Sequence, residues 1–201
     1  MFDARLRPLI DPPLDAIGRW LAARRISADA VTVAGFLVGM LAAGAIAFGH
    51  VFLGAALVGL NRLADGLDGA VARATAKTDR GGYLDIVLDF AFYGAVPLAF
   101  VVADPEQNAV AGAVLLLAFY VNGASFLAFA IMAARRGIET ASHGEKSLYF
   151  TAGLAEGTET IAVLLAFCLF PAAFAPLAYG FAILTAMTAA SRILIAWETF
   201  K

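Results

Sequence analysis

Long apolar runs dominate this sequence and limit the folds that it can adopt. Hydrophobic residues make up 62% of the chain, which leaves little polar sequence to cover a soluble surface. The apolar runs are continuous rather than alternating, and each is close to the roughly 20 residues that a helix needs to cross a bilayer. They cover residues 29–49, 51–73, 83–103, 109–133, 148–170 and 176–197. The sequence therefore predicts an all-α polytopic membrane protein with six transmembrane helices.

The basic residues are distributed unevenly around these runs. Of the 14 Lys and Arg residues, five precede the first run and one ends the chain. The others lie in or beside the second and fourth connections, with Arg73 as the last residue of the second run, and only Arg62 and Arg192 fall well inside runs. The positive-inside rule therefore predicts that both termini are cytoplasmic. The net charge of −2 is too small to indicate a nucleic-acid partner.

The first 25 residues form a segment of different character. Apolar residues recur there at helical spacing with arginines between them, and Pro12-Pro13 interrupts the pattern. This pattern predicts an amphipathic helix at the membrane interface. A soluble cap packed on the bundle is an equal alternative. We therefore expect two parts, an interfacial segment over residues 1–25 and a six-helix domain over residues 26–201.

Four aspartates lie where the second and third runs meet. Asp65 and Asp68 are three residues apart, and Asp85 and Asp89 are four apart, so each pair shares one helix face. On antiparallel neighbours the two pairs lie at matching depth, about 5–12 Å below the cytoplasmic surface. Four carboxylates in a low-dielectric site must protonate, pair with cations or bind metal. Two hard divalent ions such as Mg²⁺, Mn²⁺ or Ca²⁺ match their charge, an arrangement typical of phosphoryl chemistry.

Glycines accompany the aspartates. Gly66, Gly69 and Gly81 are costly in helices, and the usual gain is close approach of a helix or ligand. For Gly66, simple helix packing is a serious alternative. Arg73 lies one turn beyond Asp68, where its guanidinium is placed to hold a phosphate bidentately. The GxxxG pattern of Gly35 and Gly39 fits a close helix crossing.

The combined pattern resembles the signature of the CDP-alcohol phosphotransferase family, D-x-x-D-G-x-x-A-R, a spacer, then G-x-x-x-D-x-x-x-D. The spacer here has seven residues where the family commonly has eight. The segment "ISADAVT" resembles the family's T-P-N-x-x-T entry to the first span, with Asp29 where Asn is usual and Thr32 retained. The chain as a whole resembles a bacterial subgroup of this family.

This resemblance implies a membrane transferase of phospholipid biosynthesis. It would pass the phosphatidyl group of CDP-diacylglycerol, or a related group from another CDP-alcohol, to the hydroxyl of a polar alcohol and release CMP. It implies two divalent cations, Mg²⁺ or Mn²⁺, contact with membrane lipids, a homodimer, and a bacterial inner membrane location with the active site near the cytoplasmic face. The implied metal ligands are Asp65, Asp68, Asp85 and Asp89, with Asp89 also the general base. The implied CDP contacts are Asp29, Thr32, Gly69, Arg73 and Gly81.

The acceptor is not named by the sequence. Arg135, Arg136 and Lys146 border the predicted cytoplasmic face and are candidates for binding a phosphorylated acceptor such as glycerol 3-phosphate. Such residues also have a topogenic role. Glu156 and Glu159 are either acceptor ligands or counter-ions for Arg62 and Arg192, and we favour the counter-ion role.

Two other functional classes compete with the transferase. One is a cation transporter that uses the acidic cluster, and the other is a catalytically silent scaffold of the same family. The aspartates lie near one face only and Arg73 beside them suits an anion, which argues against transport. All four aspartates are present, which argues against the scaffold.

Overall fold

The regular secondary structure is helical throughout residues 3–138 and 157–201, the parts that this computed structural model describes. The helices are α1 (Asp3–Ala23), α2 (Ala28–Ala47), α3 (Val51–Ala74), α4 (Asp79–Ala103), α5 (Pro105–Arg135), α6 (Gly157–Leu169) and α7 (Phe174–Thr199). A 3₁₀ turn, Pro171–Ala173, precedes α7. The predicted all-α class is confirmed, and each predicted apolar run overlaps one of the helices from α2 to α7. Lys146 and Glu156 lie outside the described residues.

Within the described residues, four helices are long and apolar enough to cross a membrane, namely α2, α4, α5 and α7 with its preceding turn. Helix α3 does not qualify because its second half carries Arg62, Asp65, Asp68 and Arg73. The described part of α6 has only 13 residues. The count of six transmembrane helices therefore stays a prediction. The residues that exclude α3 from the candidate membrane spans include Asp65, Asp68 and Arg73, which are predicted site residues.

An aromatic cluster closes one end of the bundle. Phe100 of α4 stacks on Phe174 of α7 with ring centroids 5.0 Å apart, and Phe167 of α6 lies 4.8 Å from Phe174. All three side chains are buried. Phe100 lies 15 residues beyond Asp85 on α4, or about 22 Å along the helix axis. The aromatic cluster and the aspartates therefore lie toward opposite ends of α4.

Glycines bring α2 against its neighbours. A Cβ atom built on Gly35 would lie 2.8 Å from the Cβ of Ala64, and one on Gly39 would lie 2.6 Å from Cδ2 of Phe92. Such distances are too short for any side chain larger than hydrogen. The predicted close crossing is therefore confirmed, and it joins helices within one chain.

Helix α1 is a single helix that continues through Pro12-Pro13, so the predicted interruption there is wrong. The fixed φ of proline is close to the helical value, so the helix can continue through both prolines. It loses the backbone hydrogen bonds that their missing N–H groups would donate. Gly18 rests on Ala70 of α3, where a Cβ would lie 2.7 Å from that residue's Cβ. The helix therefore packs on the bundle as a cap, while Ile17 and Trp20 remain exposed on its other side.

Candidate metal and nucleotide site

Three of the four aspartates converge at the α3–α4 junction. One carboxylate oxygen from each of Asp65, Asp68 and Asp85 lies within 4.8 Å of the others. Asp68 is buried, and its Oδ2 has no hydrogen-bond partner among the described residues. A buried carboxylate oxygen without a donor is unfavourable unless a cation or proton balances it. We call these three residues the carboxylate triad.

The triad suits a hard divalent cation. Its donor set is entirely oxygen, which favours Mg²⁺, Mn²⁺ or Ca²⁺ over softer metals. Oxygens bound to one Mg²⁺ at about 2.1 Å lie at most about 4.2 Å apart, so the side chains need to close only slightly. The partnerless Oδ2 of Asp68 is the atom that gains most from a metal ion.

Asp89 has a different environment from the triad. Its Oδ1 accepts a hydrogen bond from Nη2 of Arg62 at 2.8 Å. Nη1 of the same guanidinium lies 3.6 Å from Asp65. Arg62 therefore takes its counter-charge from the aspartates, which differs from the predicted pairing with Glu156 or Glu159. The helix geometry explains this, because α3 presents Arg62 on the side that faces α4.

A cavity of about 730 Å³, the first cavity, opens beside the triad. It is enclosed by the last residues of α1, the first turns of α2 and α4, and the end of α3 with its following loop. All five predicted CDP contacts line it together with two triad members. They are Asp29, Thr32, Gly69, Arg73 and Gly81, with Asp68 and Asp85. The structure thus brings together residues that are up to 56 positions apart in the chain.

Three basic residues that were not predicted as ligands also line the first cavity, namely Arg25, Lys77 and Arg80. Arg80 forms an ion pair with Asp29, with Nη2 2.6 Å from Oδ2. A Cβ on Gly81 would lie 3.0 Å from Oδ1 of Asp29, so this glycine leaves room for the pair. The clustering of basic residues around the second connection was the available signal, but it was interpreted only as a sign of membrane orientation.

Arg73 is also held by a partner that the sequence did not indicate. Its Nε and Nη2 donate to Oδ1 of Asp15 on α1 at 3.1 and 2.7 Å. Its Nη1 lies over Gly69, where a Cβ would be 3.4 Å away. Leu14, one residue before Asp15, covers Gly66, which supports the packing role for that glycine. Helix α1 therefore forms one wall of the site.

A second cavity of about 530 Å³ lies on the other side of α4, between α4, α5 and α7. Asp85 and Asp89 line it at one end, and its lining also includes Tyr93 and Arg192. Nη1 of Arg192 donates to Oδ1 of Asn122 on α5 at 2.9 Å. This cavity is mostly apolar, but it places an arginine of α7 in the same space as two of the aspartates.

The predicted acceptor residues lie elsewhere as far as they are described. Arg136 donates to the carbonyl oxygen of Phe200 at 2.8 Å and so caps the end of α7. Arg135 is exposed in the last turn of α5, and Glu159 is half-buried in the first turn of α6. None of these three lines either cavity. Lys146 and Glu156 fall outside the described residues, so their roles stay predictions.

Sequence comparison assigns this arrangement to a family. The model of the CDP-alcohol phosphatidyltransferase family matches residues 25–197. The chain belongs to this family. Its members are membrane-bound transferases of phospholipid biosynthesis, and this chain is a transferase of that class.

Similar proteins extend the match. The inner membrane protein YnjF of Escherichia coli K12 is 47% identical over 201 residues, which cover 100% of this chain and 98% of that protein. An archaetidylinositol phosphate synthase of Pyrococcus horikoshii is 36% identical over 87 residues, 43% of this chain and 46% of that one. The family match and the apolar helices indicate a membrane protein.

Solved structures show the same fold. The phosphatidylinositol phosphate synthase PgsA1 of Mycobacterium tuberculosis, solved with CDP-DAG bound, has a TM-score of 0.67 and 23% identity. The match covers 92% of this chain and 93% of that one. The same enzyme in complex with manganese and citrate also has a TM-score of 0.67, and the match covers 92% and 88% of the two chains. At this identity, the likeness establishes the architecture.

Proposed function

We propose that this chain transfers the phosphatidyl group of CDP-diacylglycerol to the hydroxyl of a phosphorylated polar alcohol and releases CMP. The observation that carries the proposal is the first cavity, which collects all five predicted CDP contacts beside the carboxylate triad. The fold shared with an enzyme solved with CDP-DAG bound supports this donor.

Asp65, Asp68 and Asp85 would hold a divalent cation, with Asp89 contributing to a second one. Mg²⁺ is the expected ion and Mn²⁺ the substitute. When bound, the cations supply positive charge that offsets the pyrophosphate and the departing CMP. The buried Oδ2 of Asp68 and the all-oxygen donor set support this role.

The protein groups of the first cavity bind the nucleotide part of the donor. Arg73, Lys77 and Arg80 provide positive charge for the two phosphates. The N-terminal turns of α2 and α4 face the same space, and free backbone N–H groups at helix starts favour anions. Thr32 supplies a hydroxyl, and the small size of Gly69 and Gly81 lets the nucleotide approach the backbone.

The second cavity accommodates the acceptor. Asp89 lies at its boundary and accepts the proton of the attacking hydroxyl. Arg192 binds the acceptor's phosphate through charge-assisted hydrogen bonds. The class of acceptor is a phosphorylated polyol, which includes inositol phosphate and glycerol 3-phosphate. The relatives' printed activities, synthesis of archaetidylinositol phosphate and phosphatidylinositol phosphate, support the first of these.

The placement in the membrane follows from the same residues. We propose that all six helices from α2 to α7 cross the inner membrane with both termini cytoplasmic, and that the site lies near the cytoplasmic face. The basic residues in the second and fourth connections support this orientation. Helix α1 lies at the interface with Ile17 and Trp20 toward lipid, residues 26–201 form the catalytic domain, and the enzyme acts as a homodimer.

The test is CMP release by purified protein in lipid nanodiscs that contain CDP-diacylglycerol. The assay supplies inositol phosphate or glycerol 3-phosphate, with and without Mg²⁺. We expect CMP and a new lipid only when donor, acceptor and Mg²⁺ are all present. Cation flux across liposomes without CMP would support the transporter, and a folded protein with neither activity would support the scaffold.

A further inference from the structure

Arg62 is an arginine inside an apolar bundle, and every nitrogen of its guanidinium group has a protein partner. Its side chain is 15% exposed. Nε donates to Oδ1 of Asn61 at 2.8 Å, Nη1 to the hydroxyl of Tyr93 at 3.1 Å, and Nη2 to Oδ1 of Asp89 at 2.8 Å. The ring of Phe92 lies beneath the guanidinium, with the centroid 4.6 Å from Cζ. The group is therefore fixed both along its edges and on one face.

Asn61 anchors this arginine to a third helix. The side chain of Asn61 is buried, and its Nδ2 donates to the carbonyl oxygen of Gly35 on α2 at 2.8 Å. A Cβ on Gly39 would come within 3.0 Å of the same nitrogen, so α2 fits closely around the amide. The contacts run from the α2 backbone through Asn61 and Arg62 to Asp89 on α4. We call this chain of contacts the Arg62 tether.

The tether gives Asp89 a different environment from the other aspartates. Asp65, Asp68 and Asp85 bring their oxygens into one group, and Arg62 reaches this group only through the 3.6 Å ion pair with Asp65. The direct hydrogen bond of Arg62 goes to Asp89, at 2.8 Å. Asp89 nevertheless lines a small pocket with all three of them and also lines the second cavity. It therefore lies between the proposed metal site and the proposed acceptor site.

We propose that Arg62 is a positioning residue that holds Asp89 between the triad and the second cavity, so that Asp89 acts as a base rather than as a fourth equal metal ligand. This rests on the proposed function. The acceptor's O–H proton moves to the carboxylate of Asp89, while the acceptor oxygen forms a bond to the β-phosphorus of the donor. The bond between that phosphorus and the bridging oxygen breaks, and CMP leaves with the electron pair. Arg62 touches neither substrate in this step.

The first test is Arg62→Gln, which removes the cation but keeps a polar side chain. We expect kcat to fall about 100-fold, the size of a misplaced general base, while the KM for CDP-diacylglycerol changes less than about twofold. Mn²⁺ binding without substrates, measured by electron paramagnetic resonance, should not weaken, because the triad is intact. Arg62→Lys should recover part of kcat, since an ammonium group also reaches a carboxylate.

The double variant separates positioning from general support of the fold. If Arg62 acts through Asp89, then Arg62→Gln combined with Asp89→Asn should be no slower than Asp89→Asn alone. Multiplying effects, or a loss of Mn²⁺ affinity that matches the loss of kcat, would overturn the proposal. If Arg62→Gln does not fold, Tyr93→Phe and Asn61→Leu break the neighbouring contacts and should lower kcat with unchanged donor KM, and full activity in both would overturn it.

Failure of the proposed function and failure of the proposed role of Arg62 give different results. Wild-type protein that binds Mn²⁺ but releases no CMP from any acceptor would contradict the proposed function. Wild-type turnover together with a fully active Arg62→Gln would contradict only the role of Arg62.

Discussion

The two halves of the bundle, α1–α4 and α5–α7, differ in the charged side chains that they place around the two cavities. In α1–α4, four aspartates have an arginine partner: Asp15 pairs with Arg73, Asp29 with Arg80, and both Asp65 and Asp89 with Arg62. In the described part of α5–α7, Arg192 faces the second cavity and donates to Oδ1 of Asn122, and aromatic side chains pack in the core. Asp68, whose Oδ2 has no hydrogen-bond partner among the described residues, makes the carboxylate triad the group that a metal ion would complete. The second half contributes most of the lining of the second cavity, including the cation Arg192.

This difference suggests a division of labour in which the first half binds the donor and its metal ions and the second half binds the acceptor. Asp85 and Asp89 lie on α4, the helix of the first half that borders the second half, and they line the second cavity from that side. The half that carries the family signature would then bind the CDP-alcohol donor. The half without the signature would bind the acceptor.

The largest expected effect is on the triad. Asp85→Asn removes a charged oxygen from the metal site, and we expect CMP release to fall by about a thousandfold or more, together with Mn²⁺ affinity. The matched control is Glu198→Gln, an exposed carboxylate at the end of α7, which should leave both unchanged. Retained activity in Asp85→Asn would remove the distinction between the halves, because the first would no longer hold the metal.

The second prediction concerns the acceptor half. Arg192→Gln should raise the KM for the phosphorylated acceptor about 10- to 100-fold, the value of one charged hydrogen bond lost, without a change in donor KM. Arg19→Gln, an exposed cation on α1, is the control. Arg136→Gln tests the rival site, and a rise in acceptor KM there instead would place the acceptor at the end of α7.

The same division explains how much of the site could be predicted from sequence. The spacing within each pair places Asp65 with Asp68, and Asp85 with Asp89, on one helix face. Their convergence across two helices also depends on α2, which packs against both α3 and α4. The contacts from Asp15 to Arg73 and from Asn61 to Gly35 depend on which helices pack together. No local pattern encodes that packing, and no spacing motif links Asn122 to Arg192 across 70 residues.

The fold shows the same limit. The apolar runs located α2 to α7, and an amphipathic pattern located α1. Helix α3 does not meet the criteria for a membrane span because its second half carries charged residues. Pro12-Pro13 predicted a break in α1, but the helix is continuous through both prolines. Its second half packs on α3, with Gly18 against Ala70. Local signals therefore predicted the elements, and tertiary contacts decided their details.

The third prediction tests how tightly the first half is packed. Gly35→Ala places a Cβ 2.8 Å from the Cβ of Ala64, an atom attached directly to backbone, and should destabilise the protein by about 1–3 kcal/mol. Gly44→Ala, also in α2, meets nothing within 4 Å and should stabilise the helix by up to about 1 kcal/mol. Thermal unfolding in detergent measures both. Equal shifts in the two variants would mean that α2 does not cross α3 as closely as described.

The smallest expected effect is at Asp15, which pairs with Arg73, one of the proposed contacts to the donor. Asp15 occupies Nε and Nη2 of Arg73, the guanidinium nitrogens that would otherwise be available to phosphate. Because the pair is more than a third exposed, its contribution to stability is below about 1 kcal/mol. Asp15→Asn should therefore leave the melting temperature nearly unchanged and lower donor KM about two- to fivefold, since the pyrophosphate no longer competes with a carboxylate. Glu106→Gln, an exposed acid on α5, controls for net charge. A higher donor KM in Asp15→Asn would show instead that α1 holds Arg73 in its binding position, so that pairing in this half prepares the site rather than blocking it.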